Sequence, residues 1–119
     1  MMGAVKPAGI HHVAVCVRDV AEARRFYTEK LGFTLADRPE VLGPGAWLDG
    51  GGQQVHLMAS DASPGPGHFA IRVDDLDAAV ADLEVAGVEV RRIPPIPGAG
   101  RQAFLHDPSG NFVELNQPL

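Results

Sequence analysis

Apolar and polar residues alternate over His12-Val13-Ala14-Val15-Cys16-Val17, the chain then meets Asp19, and apolar residues return at helical spacing. Period two predicts a strand with one buried face, and the aspartate predicts the N-cap of a helix. Val20, Ala23, Tyr27 and Leu31 mark the helix's inner stripe. Glu22, three places after Asp19, completes a capping-box pattern, and Gly32 supplies a C-terminal stop. The same pattern recurs over His68-Phe69-Ala70-Ile71-Arg72-Val73-Asp74-Asp75, with Leu76, Ala79, Val80 and Leu83 as the next stripe and Gly87 as the stop. Further on, Asp49-Gly50-Gly51-Gly52-Gln53-Gln54-Val55-His56-Leu57 lies over Asp107-Pro108-Ser109-Gly110-Asn111-Phe112-Val113-Glu114-Leu115. Each segment is a Gly- or Pro-rich turn followed by a short strand, and another strand is predicted before each turn, around Ala46 to Leu48 and Gln102 to His106.

This self-similarity predicts an α+β fold of two paired β-α-β-β-β modules within one domain spanning residues 1–119. Module one covers about 9–59, a Ser/Pro/Gly-rich linker about 60–67, and module two about 68–117. Neither half could bury an adequate core alone, so the two are expected to pack together.

The duplication also selects candidate chemistry. His12 and His68 are equivalent positions on the first strand of each module, and His56 and Glu114 are equivalent positions on the last. A pseudo-twofold relating the modules would bring these four side chains into one symmetric arrangement. Strand parity puts His12, Ala14 and Cys16 on one face and Val13, Val15 and Val17 on the other, and likewise separates His68, Ala70 and Arg72 from Phe69, Ile71 and Val73. The β-branched faces are expected to pack against the helices, leaving the histidine faces to line a concave surface. Three imidazoles and a carboxylate suit one divalent ion such as Zn, Ni, Co, Mn or Fe(II). A lone histidine on a half-apolar strand is usually just packed or solvated; joint placement at repeat-equivalent sites is what singles out these four. His11 and His106 lack that support and read as structural or surface residues, and Cys16 as a small filler on the His12 face.

Composition narrows the function classes. Hydrophobic residues make up 45% and charged residues 21%, ordinary globular usage. Lys+Arg number 10 against Asp+Glu 15, a net of -5 with no basic stripe, so nucleic acid is not an expected partner. No apolar run approaches the roughly 18 to 20 residues that cross a bilayer, so no membrane partner is expected either. The start lacks the look of a secretory signal, and the single cysteine, Cys16, excludes an intrachain disulfide, so a cytoplasmic location is expected.

The segments Gly9-Ile10-His11-His12-Val13-Ala14-Val15, Phe26-Tyr27 through Leu31-Gly32-Phe33, Gly67-His68-Phe69-Ala70 and Asp107 to Leu115 resemble the vicinal oxygen chelate superfamily. That group includes glyoxalase I, extradiol dioxygenases, fosfomycin-modifying enzymes and bleomycin-sequestering proteins. The resemblance implies a cup-shaped half-barrel, metal ligands at His12, His56, His68 and Glu114, and often a homodimer with sites at or near the interface. Glyoxalase I generally carries glutamate where His56 stands, which leaves Glu114 as the one carboxylate of the set for moving a proton. The expected activity is metal stabilisation of an enolate or oxyanion of a small oxygen-bearing metabolite, of the lyase or isomerase type, with Glu114 as both ligand and catalytic base. A metal-dependent dioxygenase and a non-catalytic drug- or metabolite-sequestering protein are the alternatives. Trp47, Met58, Arg72, Arg101 and Phe104 are candidate pocket-wall residues, with core packing or solvated charge as their plainer reading.

Overall fold

Strand β1 (His12–Val17) runs into Asp19, whose carboxylate accepts the Glu22 amide at 3.0 Å and starts α1 (Val20–Arg25). Asp75 does the same for α2 (Leu76–Val85), accepting from Ala78 at 3.1 Å. Beyond the helices, Gly32 and Gly87 take φ of 77° and 83°, a conformation that glycine adopts without a Cβ clash. This computed structural model describes residues 8, 10–62, 64 and 67–119. The stretch weighed as a signal (1–7), Gly9 of the family-like motif, and Ser63, Gly65 and Pro66 of the linker lie outside the described residues.

Module one continues through β2 (Thr34–Ala36), β3 (Gly45–Gly50) and β4 (Gln53–Ala59), forming a sheet of order β1-β4-β3-β2. Module two consists of β5 (His68–Arg72), α2, β6 (Arg91–Arg92), β7 (Arg101–His106) and β8 (Phe112–Gln117), in the order β5-β8-β7-β6. In each sheet the first strand pairs in parallel with the last and the remaining neighbours are antiparallel, so the two β-α-β-β-β modules are topologically identical. No helix among the described residues is long and apolar enough to cross a membrane.

The first helix departs from the expected regular run to Leu31. It passes at Phe26–Lys30 into a wider π turn, closed by Leu31 N–H donating to the Phe26 carbonyl at 3.3 Å. The Thr28 hydroxyl donates to the Arg24 carbonyl at 2.8 Å, competing for the acceptor that a regular helix would give to a main-chain amide. Through the turn Phe26 and Tyr27 both stay buried.

One hydrophobic core runs through both modules: Val15, Val17, Leu48, Val55 and Leu57 from the first, Ala103, Leu105, Val113 and Leu115 from the second. Each helix packs against its own module's sheet, and Tyr27 of module one stacks on Phe69 of β5 at 6.5 Å. The other face of both sheets is open. The molecule measures 46 × 42 × 25 Å with a radius of gyration of 15.4 Å, against about 13.5 Å for a compact chain of its length. It is a plate rather than a ball.

A buried aspartate joins the modules. Asp107, at the turn into β8, accepts the Tyr27 hydroxyl at 2.9 Å, the amides of Ser109 and Asn111 at 2.9 Å each, and the Asn111 side-chain amide at 2.8 Å. From that turn, the Ser109 hydroxyl accepts the Arg18 amide at 3.0 Å and Asn111 donates to the Cys16 carbonyl at 2.9 Å. Burial, then the Asp107 charge and hydrogen bond, push the Tyr27 phenol far above its ordinary value, so it stays a donor at any physiological pH. Tyr27→Phe should cost about 1–2 kcal/mol in urea unfolding, and Asp107→Ala, which strands all four donors, clearly more. Wild-type midpoints in both variants would remove this clasp from the account of stability.

Candidate metal centre

The open face of module one is built by strand register. His12, on β1, lies beside Gln54, and Ala14 beside His56, while Trp47 on β3 faces His56 from the other side. The three rings form a stack: His56 lies 4.0 Å from His12 at 13° and 4.3 Å from Trp47 at 7°. His56 is 9% exposed, a polar ring held between two others, and its Nε2 meets Gln54 Oε1 at 2.8 Å. Burial first, then the charges of His12, His11 and Arg38, lower its pKa below the ordinary imidazole value. It is therefore neutral at pH 7, the form that binds a metal.

Module two carries the other pair. His68 Nε2 lies 2.9 Å from Glu114 Oε1, and the second carboxylate oxygen accepts from Asn116 at 2.9 Å. Glu114 is only 6% exposed, although it follows the surface-exposed Phe112 by just two residues. Phe104 meets His68 edge-on at 5.8 Å.

The two pairs are not joined within one chain. Among the described residues no three His, Cys, Asp or Glu side chains gather into one metal-holding group. Only the first-strand histidines reach the cavities along the β1–β5 seam. His12 lines one of about 550 Å³ with Gln54, Phe33 and Arg72, and His68 lines another of about 290 Å³ with Cys16, Asn111 and Phe112. The single symmetric arrangement expected from the repeat is not formed within the chain, where the four side chains stand as two separate pairs. Pairing in the plate joins β1 to β4 and β5 to β8, and no β1–β5 ladder draws the pairs together.

The donor types fit a divalent ion. Two donors at right angles on an ion with bonds of about 2.1 Å stand about 3 Å apart, and His68 and Glu114 already have that spacing. His12 and His56 are close but face to face, so shared coordination requires one ring to turn out of the stack.

The other candidate residues divide by face. Trp47, Met58, Arg72 and Phe104 share the ligand face of their strands, Met58 being 48% exposed beside Cys16. Arg101 stands apart. It alternates with Phe104 and lies on the helix side of β7, where with Arg92 it pairs with Asp77 of α2. Paired to both arginines, Asp77 holds its carboxyl below the ordinary range. His106 is exposed against Phe112. Strand alternation would turn His11 away from its neighbour His12, but His11 precedes the strand and reaches it, Nδ1 to Nδ1 at 2.9 Å. Gln54 and Asn116 escaped the sequence reading as orienting partners. Both are polar residues two places from a candidate ligand on the same strand, which puts them on the same face.

Comparison with known proteins agrees with this architecture. Residues 9–115 match the model of the Glyoxalase/Bleomycin resistance protein/Dioxygenase superfamily. The chain is 31% identical to Glyoxylase I 4 of Arabidopsis thaliana, over 89% of this chain and 68% of that one. Its structure superposes on a Bacillus anthracis protein described as glyoxalase family with a TM-score of 0.87, at 28% identity and full coverage of both chains. TnmS3, an antibiotic binding protein from Streptomyces sp. CB03234, superposes with a TM-score of 0.80 at 35% identity, covering 99% and 100%. Two topologically identical β-α-β-β-β modules and a family match across nearly the whole chain lead to one assignment: the protein belongs to the glyoxalase/bleomycin resistance protein/dioxygenase superfamily.

Proposed function

We propose that the protein is a divalent-metal-dependent lyase or isomerase acting on a small oxygen-bearing metabolite. It works as a homodimer in which His12 and His56 of one protomer meet His68 and Glu114 of the other. The observation that carries this reading is the division of the ligand set into two half-sites on the open face of a plate. Two plates joined about a twofold axis complete two sites and cover the apolar surface left by Met58 and Phe112. A bound ion there supplies Lewis-acid stabilisation of an oxyanion developing on the substrate. Asn116 holds one oxygen of Glu114 and so orients the other, Oε1, which would serve as the ion donor and, once released, as the base for a substrate proton. Gln54 and His11 hold the rings of His56 and His12 from outside.

A second reading, a sequestering protein, draws on the Trp47–His56–His12 stack and on the likeness to TnmS3. An aromatic stack bordered by an exposed methionine suits a planar ligand held without turnover.

Elemental analysis should find about one ion per chain, and His56→Ala should weaken its binding at least about 100-fold. Mixing separates a shared site from an enclosed one. A His12/His56 double alanine variant and a His68/Glu114 double alanine variant should each lack metal, while their mixed dimer regains half the wild-type complement. No recovery on mixing would sink the shared site, and no metal in the wild type would leave the sequestering reading.

Metal uptake should also change the fluorescence of Trp47, the only tryptophan, because an ion on His56 either moves or polarises the ring stacked against the indole. An emission spectrum unaltered by a stoichiometric ion would mean that His56 keeps its place and is no ligand.

Acid should destabilise the metal-free fold through His56. Its folded pKa lies below its unfolded value, so the unfolded chain takes the proton more readily. The contribution is fully present above about pH 6.5 and fades as the pH falls below it. Unfolding temperatures measured across this range should fall less steeply in His56→Gln than in wild type; parallel curves would refute the assignment.

A further inference from the structure

Arg38 lies outside the metal set, in the connection between β2 and β3, yet its guanidinium occupies the same open face. Gly45 fixes that placement. It stands two residues before Trp47 on β3, so its missing side chain would point the way Trp47 does. A methyl group at Gly45 would come within 2.6 Å of the Leu57 carbonyl oxygen, 2.7 Å of Arg38 Nη2 and 2.9 Å of its Cζ. The guanidinium fills the space the glycine leaves.

Few of its donors are used. Nη1 donates to the Gly43 carbonyl, and Nη2 makes a long contact of 3.4 Å to that of Leu42. Nε–H is sealed from solvent with no acceptor, and among the described residues no carboxylate lies within ion-pair distance of Arg38. A guanidinium has five N–H donors in a planar fork, and its charge costs most where it is half-buried without a counter-ion. The arginines on the helix side of module two, Arg92 and Arg101, do have one in Asp77. Arg72, the other arginine of the ligand face, is exposed to solvent, whereas Arg38 is half-buried with a sealed, unmet Nε–H.

We propose that Arg38 binds an anionic group, a carboxylate or phosphoryl oxygen, of the molecule that occupies the open face of module one. The long contact to Leu42 yields first, and a small turn of the guanidinium then presents its Nε/Nη2 edge as a two-pronged donor. Taken with the metal reading, on which this point of substrate class rests, the substrate is an acid that chelates the ion through neighbouring oxygens and is held by its charge at Arg38. A neutral diol or quinone would leave Arg38 unanswered.

Metal-free protein labelled with ¹⁵N tests the anion site by itself. The Nε–H signal of Arg38, identified by its loss in Arg38→Lys, should move saturably with acetate or inorganic phosphate, but not with chloride at equal ionic strength. It should respond at lower anion concentration than the exposed Arg24, Arg25 and Arg91. Saturation with acetate identifies a carboxylate, and with phosphate alone a phosphoryl group. Arg38→Gln should weaken the anion about tenfold or more, read by calorimetry, and Arg38→Lys less, with unfolding curves confirming that both variants fold. An Arg38 signal that stays still, or moves only in step with the exposed arginines, would overturn the proposal. A saturable response in a protein that takes up no metal would keep the anion site and discard the metal centre. Full metal uptake with a silent Arg38 would do the reverse.

Discussion

The carboxylate of Asp107 is buried, ionisable and surrounded by four donors, one of which, the Tyr27 hydroxyl, comes from the opposite module. A buried carboxylate is tolerable only when its lone pairs are met, so the turn from Asp107 to Asn111 and the π turn carrying Tyr27 must form together. The same turn holds β1 from the side, through Ser109 to Arg18 and Asn111 to Cys16. The bonds of Tyr27, Arg18 and Cys16 to this turn cross between modules that share no β-ladder among the described residues. They keep both helix-covered faces in one core and leave the opposite face of each sheet free. The site depends on that arrangement, because a chain that folded its sheets onto each other would have no open face to offer.

Much of this was legible along the chain. Period two assigned the buried and open faces of β1, and the aspartates before each helix cap them as their positions suggested. All four candidates share the ligand-face parity, yet His56 and Glu114 are buried because neighbouring side chains cover them, His12 and Trp47 over one, His68 and Asn116 against the other. What was missed has separate causes. The π turn follows from one hydroxyl, Thr28, which a helical pattern does not reveal. Arg101 could have been separated from Phe104 by the rule already applied to β1, since residues three apart on a strand face opposite ways. Arg38 belongs to no periodic element, so only the folded chain sets it over Gly45.

The repeat is faithful in its strands and unfaithful in its polar partners, and the second property carries the chemistry. Asp49 aligns with Asp107, but it is exposed and gathers no network, so the clasp exists once. His56 aligns with Glu114, yet one is a neutral ring stacked between Trp47 and His12 and the other a carboxylate held by Asn116. Arg38 adds a half-buried cation on the His56 side, where module two has only the solvent-exposed Arg72. A strictly symmetric site would offer a substrate two equivalent orientations, and half of the encounters would present the wrong carbon to the base. Here the two halves differ in charge. On the proposed reading, an acid entering the shared site is drawn by its anion toward Arg38 and kept from Glu114 by like charge. The carbon that loses its proton is then the one that faces the carboxylate. Divergence between the two copies of the module converts a site with twofold geometry into one with a direction.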